Sequence, residues 1–494
     1  MDRQISPVSA RCEGRVGYRQ RPMQPDAERW WRGTDFGRPI RIAFACGVAI
    51  AGAAGALADP AAEPAPDPIL ALARPTLSGA AFAEVVSTAV LRHPSLGEAI
   101  ANEKAAAGAH LEARAALLPT ADVSLYSARV LARGFSNDPD TVYERSRANS
   151  RTDVSASLTQ TLFDFGATAQ RIGGASARLR AAAAGIDVAA DQAALRMVAA
   201  WYDVFTFRAL IVLADQHVAR QQGLRRDLGV RIERGYSAEG DLLRVDSALA
   251  ETAARAAGYR RQLANAEARF QELSGTLPPP TLGRAPPAAP TLASIDMARG
   301  AADRLPMVRA AEEQAAGANA DARAAKADRY PSLSAGVDAG RYGVFEDRRD
   351  YDVRAHITVR QRFSMGLIAR ARQTDAQADA AAARAQRIRE EAERDAAIAW
   401  TDVRALDGQI AALEASYVAA RRSREMLAER FRLARGTLFD VLEADDAEFR
   451  AATAYIEGLG DRDAAQYALL SRTGRLLDTL GIDVADATPR GGRR

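Results

Sequence analysis

The segment SLTQTLFDFGATAQRI, from Ser157 to Ile172, contains an abrupt change of pattern. Before Gly166, apolar and polar side chains alternate, as they do along a β-strand that has one apolar face. After Gly166 the chain is rich in alanine and keeps a helical pattern for about seventy residues. No polar loop separates the two patterns. The sequence therefore predicts a strand that passes directly into a very long helix.

The net charge of +3 comes from the N-terminal part of the chain. Residues 1–58 contain nine arginines and five acidic residues, a net charge of +4, so the rest of the chain carries about −1. A basic patch is the electrostatic signature of nucleic-acid binding. Because the excess of basic over acidic residues lies in a segment that we expect to be removed, we expect no nucleic-acid partner.

Residues 1–58 are predicted to be an N-terminal extension followed by a secretory signal peptide. Arg38 and Arg41 precede an apolar run over residues 42–56, and Ala56-Leu57-Ala58 provides a small-residue cleavage site. The apolar run is too short for a transmembrane helix. The extension before Arg38 is long for a leader, so the true translation start within residues 1–41 stays open.

Little in the remaining sequence indicates catalysis or metal binding. Both cysteines, Cys12 and Cys46, lie in the predicted leader, so the mature chain would contain no disulfide and no cysteine metal site. The four histidines are far apart in the sequence: His93, His110, His217 and His356. No nucleophile, phosphate-loop or metal-binding motif accompanies them. We expect no enzyme activity, no cofactor and no resident metal.

The chain contains an internal duplication. Two intervals recur: 25 positions, from Pro94 to Pro119 and from Pro306 to Pro331; and 40 positions, from Trp201 to Asp241 and from Trp400 to Asp440. The sequence therefore predicts two repeats, 59–273 and 295–482, each with a helix, a β-hairpin, a long helix and another helix. A proline-rich linker over 274–294 joins them, and a tail over 483–494 follows.

The alternating stretches predict two strands in each repeat. Val353, Ile357 and Val359 face one way, while Arg354 and His356 face the other. Each strand has about 10–12 residues, close to the length that crosses a bilayer at a tilt. A soluble antiparallel sheet would also alternate. The predicted leader, and a strand count too small to bury a core, favour a membrane sheet.

The long helices are the second unusual feature. A helix from Ala167 to about Arg234 would be about 100 Å long, which is too long for a compact domain. Ile172, Leu179 and Ile186 recur every seven residues, and alanines follow the same spacing. Such heptads allow close packing of helices in a coiled coil.

These two features together require several copies of the chain. Outer-membrane barrels of a single chain have at least about eight strands, and an open sheet would leave unpaired backbone groups in lipid. Pooled copies would close the strands into one barrel and the long helices into another. We therefore place Gly166, and Gly366 at the equivalent point of the second repeat, at the barrel-to-helix transition.

The sequence resembles the TolC family of outer-membrane channel proteins over roughly residues 77–482. The segments that carry the resemblance are LTQTLFDFG (158–166), AEGDLLRVDSALAE (238–251) and ERFRLARGTLFDVLEADD (429–446). The duplication, with the same order of elements in both repeats, also carries it. The resemblance implies a mixed α and β membrane protein. It would be a homotrimeric outer-membrane β-barrel with four strands per chain, continuing into a long periplasmic α-helical coiled-coil barrel.

The same resemblance implies a function and partners. The chain would be the exit duct of a tripartite export system in the outer membrane of a Gram-negative bacterium. Its partners would be a periplasmic adaptor (membrane fusion) protein and an inner-membrane pump that is driven by ATP or by protons. The pump and the exported cargo stay open, with protein secretion by a type I system slightly favoured over efflux.

The resemblance also places candidate site residues at the two breaks between long helices. It assigns the periplasmic aperture to Asp241, Asp440, Glu443, Phe431 and Arg435, and the adaptor-docking tips to Gly235, Ser237, Gly436 and Thr437. Acidic residues in the first turn of a helix are also favoured by the helix dipole alone. In an oligomer, however, each acid becomes a ring, and such rings select for cations.

One alternative belongs to a different class of protein. A periplasmic adaptor, or a structural coiled-coil protein without a pore, would also contain long helices. An adaptor would have one helical hairpin flanked by glycine-rich β halves. Two hairpins of helices, each preceded by strands, favour the channel.

Overall fold

The computed structural model describes residues 67–288, 292–346 and 350–484. The predicted signal peptide, including Cys12 and Cys46, lies outside the described residues, as do part of the predicted linker and most of the predicted tail. The first half of the described chain contains α1 (Pro68–Ala71), α2 (Gly79–Arg92), α3 (Pro94–Ala115), β1 (Thr120–Arg129), a 3-10 turn (Pro139–Thr141), α4 (Val142–Ser146), β2 (Ser150–Phe163), α5 (Ala167–Glu233) and α6 (Glu239–Ser274).

The second half contains α7 (Ile295–Ala302), α8 (Pro306–Ala327), β3 (Ser332–Tyr342), β4 (Asp350–Arg360), α9 (Met365–Arg432), α10 (Leu438–Arg472) and α11 (Leu476–Thr479). The long helices α5 and α9 have 67 and 68 residues, and the helices after them have 36 and 35. The connection between β1 and β2 contains α4 and a 3-10 turn.

The four strands form one antiparallel sheet in the order β1-β2-β3-β4. The register places the apolar side chains on one face: Val123, Leu125, Val154, Leu158, Val337, Val353, Ile357 and Val359. The opposite face carries Asp122, Ser124, Ser157, Asp338, Arg354 and His356. Most of the apolar face is exposed in the chain; Ile357, for example, is 73% exposed. The outer edges of β1 and β4 pair with no other described strand.

Asp164, Phe165 and Gly166 make the turn from β2 into α5. Phe165 and Gly166 both have positive φ, 54° and 83°, a left-handed backbone conformation that is uncommon for an aromatic residue such as Phe165. The Asp164 carboxylate accepts hydrogen bonds from the N–H groups of Gly166 (3.1 Å) and Thr168 (2.7 Å). Burial alone would raise the pKa of Asp164, but these hydrogen bonds hold it below its ordinary value.

The second transition is built differently. Ser364 is the N-cap of α9, and its hydroxyl accepts a hydrogen bond from the N–H of Gly366 at 3.1 Å. Gly366 lies inside the first turn of α9 and does not have positive φ. The expected equivalence with Gly166 therefore holds for position along the chain but not for backbone conformation. The serine cap makes a left-handed residue unnecessary at this point.

The helices next to the sheet lie in the order α3, α5, α8, α9, each packed on the next. α5 and α8 approach most closely where Gly174 meets Gly317, because an added Cβ on Gly317 would lie 3.3 Å from the Gly174 carbonyl oxygen. Ion pairs flank this crossing, with Arg171 at 2.5 Å from Asp328. In the described part of the chain, α5 alone contains a stretch long and apolar enough to cross a membrane by composition, and 56% of that stretch is buried within the chain.

The largest hydrophobic cluster lies where α2, α5, α6 and α10 meet the linker. Phe82 packs edge-on against Trp201 with ring centroids 5.2 Å apart, and Trp201 Nε1 donates to the Gly283 carbonyl at 3.1 Å. In the second repeat, Trp400 Nε1 likewise donates to the Leu292 carbonyl at 3.2 Å. The two equivalent tryptophans therefore each donate a hydrogen bond to a backbone carbonyl of the linker.

Candidate functional site at the helical tips

The breaks between α5 and α6 and between α9 and α10 have the same backbone geometry; we call them tip 1 (234–238) and tip 2 (433–437). In tip 1, the N–H of Gly235 donates to the Ile232 carbonyl at 2.9 Å and the N–H of Tyr236 donates to the Arg231 carbonyl at 2.8 Å. This pair of bonds is the Schellman arrangement that ends many helices. In tip 2 the matching bonds start from Ala434 and Arg435.

The residue with left-handed backbone differs between the tips. Gly235 has φ of 76°, and its counterpart Ala434 has φ of 57°. A residue with a Cβ atom has an energy about 1–2 kcal/mol higher in this conformation. Gly436, which was also predicted at a docking tip, does not have positive φ. The structural counterpart of Gly235 is therefore Ala434, in agreement with the spacing of the two repeats.

The tips also differ in how the next helix is capped. The Thr437 hydroxyl accepts a hydrogen bond from the Asp440 N–H, and the Asp440 carboxylate accepts one from the Thr437 N–H, both at 3.2 Å. Hydrogen bonding of its carboxylate with the side chain and the backbone of Thr437 in this capping box lowers the pKa of Asp440. Tip 1 has Ala238 at the N-cap, which offers no side-chain hydrogen bond.

The three acidic residues predicted at the aperture lie in the first two turns of α6 and α10. Asp241 and Asp440 occupy the same third position of their helices, and each is half-buried. Asp241 lies 3.9 Å from Arg244, and Glu443 is exposed. Within the described chain, no hydrogen bond or ion pair connects these three carboxylates with one another. They therefore present negative charge at the end of the helical hairpins, next to the exposed Arg435.

Phe431, predicted at the aperture, lies inside the tips instead. It is 8% exposed and packs with Leu228, Val245, Leu438 and Val441. The Arg231 guanidinium lies 4.3 Å from the centre of its ring and donates to the Phe431 carbonyl at 3.0 Å. Because a phenylalanine ring has no hydroxyl to hydrogen-bond with water, its burial carries no polar cost. The ring therefore packs between residues of the two hairpins. Arg231 was not identified from the sequence, because its partner is 200 residues away.

Above the tips, the sequence reasoning missed a buried polar cluster. His217 on α5 lies 3.4 Å from Asp445 on α10, and Arg424 on α9 lies 2.9 Å from Glu448. His217, Asp445 and Glu448 are each at most 6% exposed. Burial, together with the nearby Arg220, lowers the pKa of His217 to about 4. The histidine is therefore neutral at pH 7, and the cluster links three helices of the two hairpins.

A four-stranded sheet with one exposed apolar face, joined directly to helices of 67 and 68 residues, is the architecture that we expect of an outer-membrane channel protein. Residues 85–276 match the outer membrane efflux protein family. The chain is 22% identical to the outer membrane efflux protein BepC of Brucella suis biovar 1 (strain 1330) over 346 residues, which cover 68% of this chain and 75% of BepC.

Solved structures share the fold. The outer-membrane channel OprN superposes with a TM-score of 0.70 at 22% identity, covering 81% of this chain and 90% of OprN. The CmeC outer membrane channel of Campylobacter jejuni gives 0.71 at 15% identity, covering 80% and 85%. These similarities confirm the resemblance to the TolC family and the predicted class of outer-membrane channel protein. They do not favour the adaptor alternative.

Proposed function

We propose that this chain is the outer-membrane exit duct of a tripartite efflux system and that it works as a homotrimer. The observation that carries the proposal is the sheet, which has an exposed apolar face and two unpaired edges. Exposed apolar side chains on one face fit contact with lipid, and the polar face fits a water-filled lumen. The unpaired edges must be closed before such a sheet can lie in a membrane.

Three copies would supply the missing closure. Four strands from each of three chains give a barrel of twelve strands, above the minimum of about eight. The helices support the same assembly, because α3 and α9 lie at the two ends of the row, as β1 and β4 do in the sheet. The two predicted repeats, 59–273 and 295–482, follow each other along the chain. Their tandem arrangement places α3 and β1 at one end of the chain's row of elements and α9 and β4 at the other.

The tips are proposed as both the periplasmic aperture and the adaptor-docking surface. Rings formed by Asp241, Asp440 and Glu443 would attract cations at the narrow end. Gly235, Ser237, Gly436 and Thr437 would meet the adaptor protein, which connects the duct to an inner-membrane pump. Tyr236 and Phe439 are 80% and 62% exposed beside them, which fits an apolar contact with a partner.

The cargo class is proposed to be small molecules and not proteins. The matching family and BepC are both named as efflux proteins, and this favours efflux over the type I protein secretion that the sequence slightly favoured. The location follows from the same proposal: the strands lie in the outer membrane, and the helices extend into the periplasm after the leader is cleaved.

The test is the native mass of the protein extracted in mild detergent from separated outer membranes. We expect three times the mass of the mature chain, in the outer-membrane fraction, and stepwise conductance after reconstitution in planar bilayers. A soluble monomer or dimer in the periplasm would refute the barrel. That result would instead favour the alternative of a periplasmic coiled-coil protein without a pore.

A further inference from the structure

The end helices α3 and α9 each have a face that meets no other described element. On α3 this face comprises Glu98, Ala101, Ala105, Gly108 and Glu112, and on α9 it comprises Arg370, Gln373, Gln377, Ala380 and Arg384; all ten are exposed. Their spacing of three and four residues is that of a helix-packing seam. In a single chain these two faces therefore lack partners.

The duplication provides a template for what these faces meet. Trp201 of α5 corresponds to Trp400 of α9, and Pro306, the first residue of α8, corresponds to Pro94 of α3. The α5–α8 contact within the chain is thus the counterpart of an α9–α3 contact that one chain cannot make. Ion pairs flank the existing contact, from Arg171 to Asp328 at 2.5 Å and from Arg180 to Glu313 at 2.7 Å.

An antiparallel register that lies within one helical turn of the transferred one brings together three pairs of opposite charges: Arg370 with Glu112, Asp379 with Lys104, and Arg384 with Glu98. Within the described chain, none of these six side chains forms an ion pair, whereas the counterparts of Arg370 and Asp379, which are Arg171 and Arg180, pair with α8. Three successive pairs of complementary sign, in registers that agree to within one residue, indicate a surface that is built to meet its counterpart.

We propose that α9 of one copy docks on α3 of a second copy in the register that pairs Lys104 with Asp379. This inference rests on the proposed oligomeric duct, and it names the surface through which the copies meet. Exposed ion pairs contribute little energy, so their role here is to fix the register and exclude slipped arrangements. The close packing of alanine and glycine supplies the contact itself.

The barrel-to-helix transition fits the same docking. Within the chain, Tyr330 at the end of α8 packs on Phe165, with ring centroids 5.0 Å apart. The repeat counterpart of Tyr330 is Leu118, which is 64% exposed, and Phe363 follows β4 and is 90% exposed. Docking of α9 on α3 places Phe363 of one copy near Leu118 of the next. The two exposed side chains would then be in contact, as the rings of Phe165 and Tyr330 are within the chain.

Zero-length carbodiimide cross-linking tests the register, because the reagent joins an amine to a carboxylate in direct contact. The chain has two lysines, Lys104 and Lys326. Lys326 lies 2.7 Å from Asp375 of the same chain and provides an internal positive control. In the detergent-extracted protein we expect a link between Lys104 and Asp379, identified as a joined peptide by mass spectrometry and as covalent multimers on denaturing gels.

The matched variants separate this contact from the control. Lys104→Arg and Asp379→Asn should each abolish the covalent multimers, and Lys326→Arg should abolish only the link within the chain. The exchanged pair, Lys104→Glu with Asp379→Lys, should restore the multimers. A multimer in the outer membrane whose Lys104 links elsewhere or not at all would overturn this register and leave the proposed duct standing. A native monomer would overturn both.

Discussion

The crossing of α5 and α8 at Gly174 makes a sharp prediction about helix packing. A Cβ atom on Gly174 would lie 2.9 Å from Asp321 Oδ1, 3.3 Å from the Gly317 carbonyl oxygen and 3.5 Å from the Ala320 Cβ. The carboxylate can move, but the Gly317 carbonyl belongs to a helical backbone. A leucine at Gly174 therefore pushes the two helices apart, and such overpacking costs about 1–3 kcal/mol.

The neighbouring Gly173 is the matched control, because a Cβ atom there meets nothing within 4 Å. Replacement of glycine by leucine within a helix contributes roughly 0.7 kcal/mol of helix propensity at either position. We therefore expect Gly173→Leu to raise the free energy of unfolding slightly and Gly174→Leu to lower it by about 0.5–2 kcal/mol. The difference between the two variants isolates the overpacking.

The measurement is urea unfolding in detergent, followed by the fluorescence of Trp201 and Trp400, at one fixed protein concentration. The concentration is fixed because the stability of an oligomer depends on it. Gly174→Ala, which adds the Cβ alone, should lie between the two leucine variants and guards against a variant that fails to fold. Equal free energies of unfolding for Gly173→Leu and Gly174→Leu would refute the close crossing.

Three further changes test the tips and the polar cluster. Because the pKa of His217 falls from 6.5 to about 4 on folding, the wild-type free energy of unfolding should fall by about 3 kcal/mol as pH drops from 6.5 to 4. His217→Gln should remove that part of the pH dependence in parallel urea titrations. Asp440→Ala combined with Glu443→Ala should weaken cation selectivity and divalent block in planar bilayers, and unchanged selectivity would reject the aperture assignment. Ala434→Gly should stabilise tip 2 by roughly 1 kcal/mol and slow hydrogen exchange of the Arg435 amide, whereas Gly235→Ala should have the opposite effect on Tyr236.

The fold could be predicted from the sequence wherever one local pattern decides it. Alternation up to Phe163 and alanine-rich heptads after Gly166 identify the strand and the helix, and the repeat orders them. The role of Asp164 was not evident, because an aspartate before a helix also fits an ordinary loop. Its two backbone hydrogen bonds follow from the positive φ of Phe165, which no propensity scale favours for an aromatic residue.

The site was less predictable because its contacts join distant parts of the chain. His217 and Asp445 look like solvated helix residues in the sequence, and only the packing of α5 against α10 buries them together. The burial of Phe431 likewise depends on Arg231, in the other repeat. Position alone therefore located the tips, but it could not distinguish a residue that faces an opening from one that holds two hairpins together.

The two tips have complementary weaknesses, and this bears on the proposed aperture. Tip 1 has the favourable Gly235 but no side-chain cap at Ala238, while tip 2 has the Thr437 cap but the strained Ala434. The absence of the left-handed glycine or of the side-chain N-cap lowers stability by about 1 kcal/mol in each case. Each hairpin end is therefore less stable than it would be with both features. Above them, the helices are joined by the buried cluster around His217 and by the Phe431 contacts. Segments of low local stability next to a rigid support are where local opening occurs first. In the proposed duct, that places the movable part at the acidic ends of the hairpins and leaves the helical wall intact.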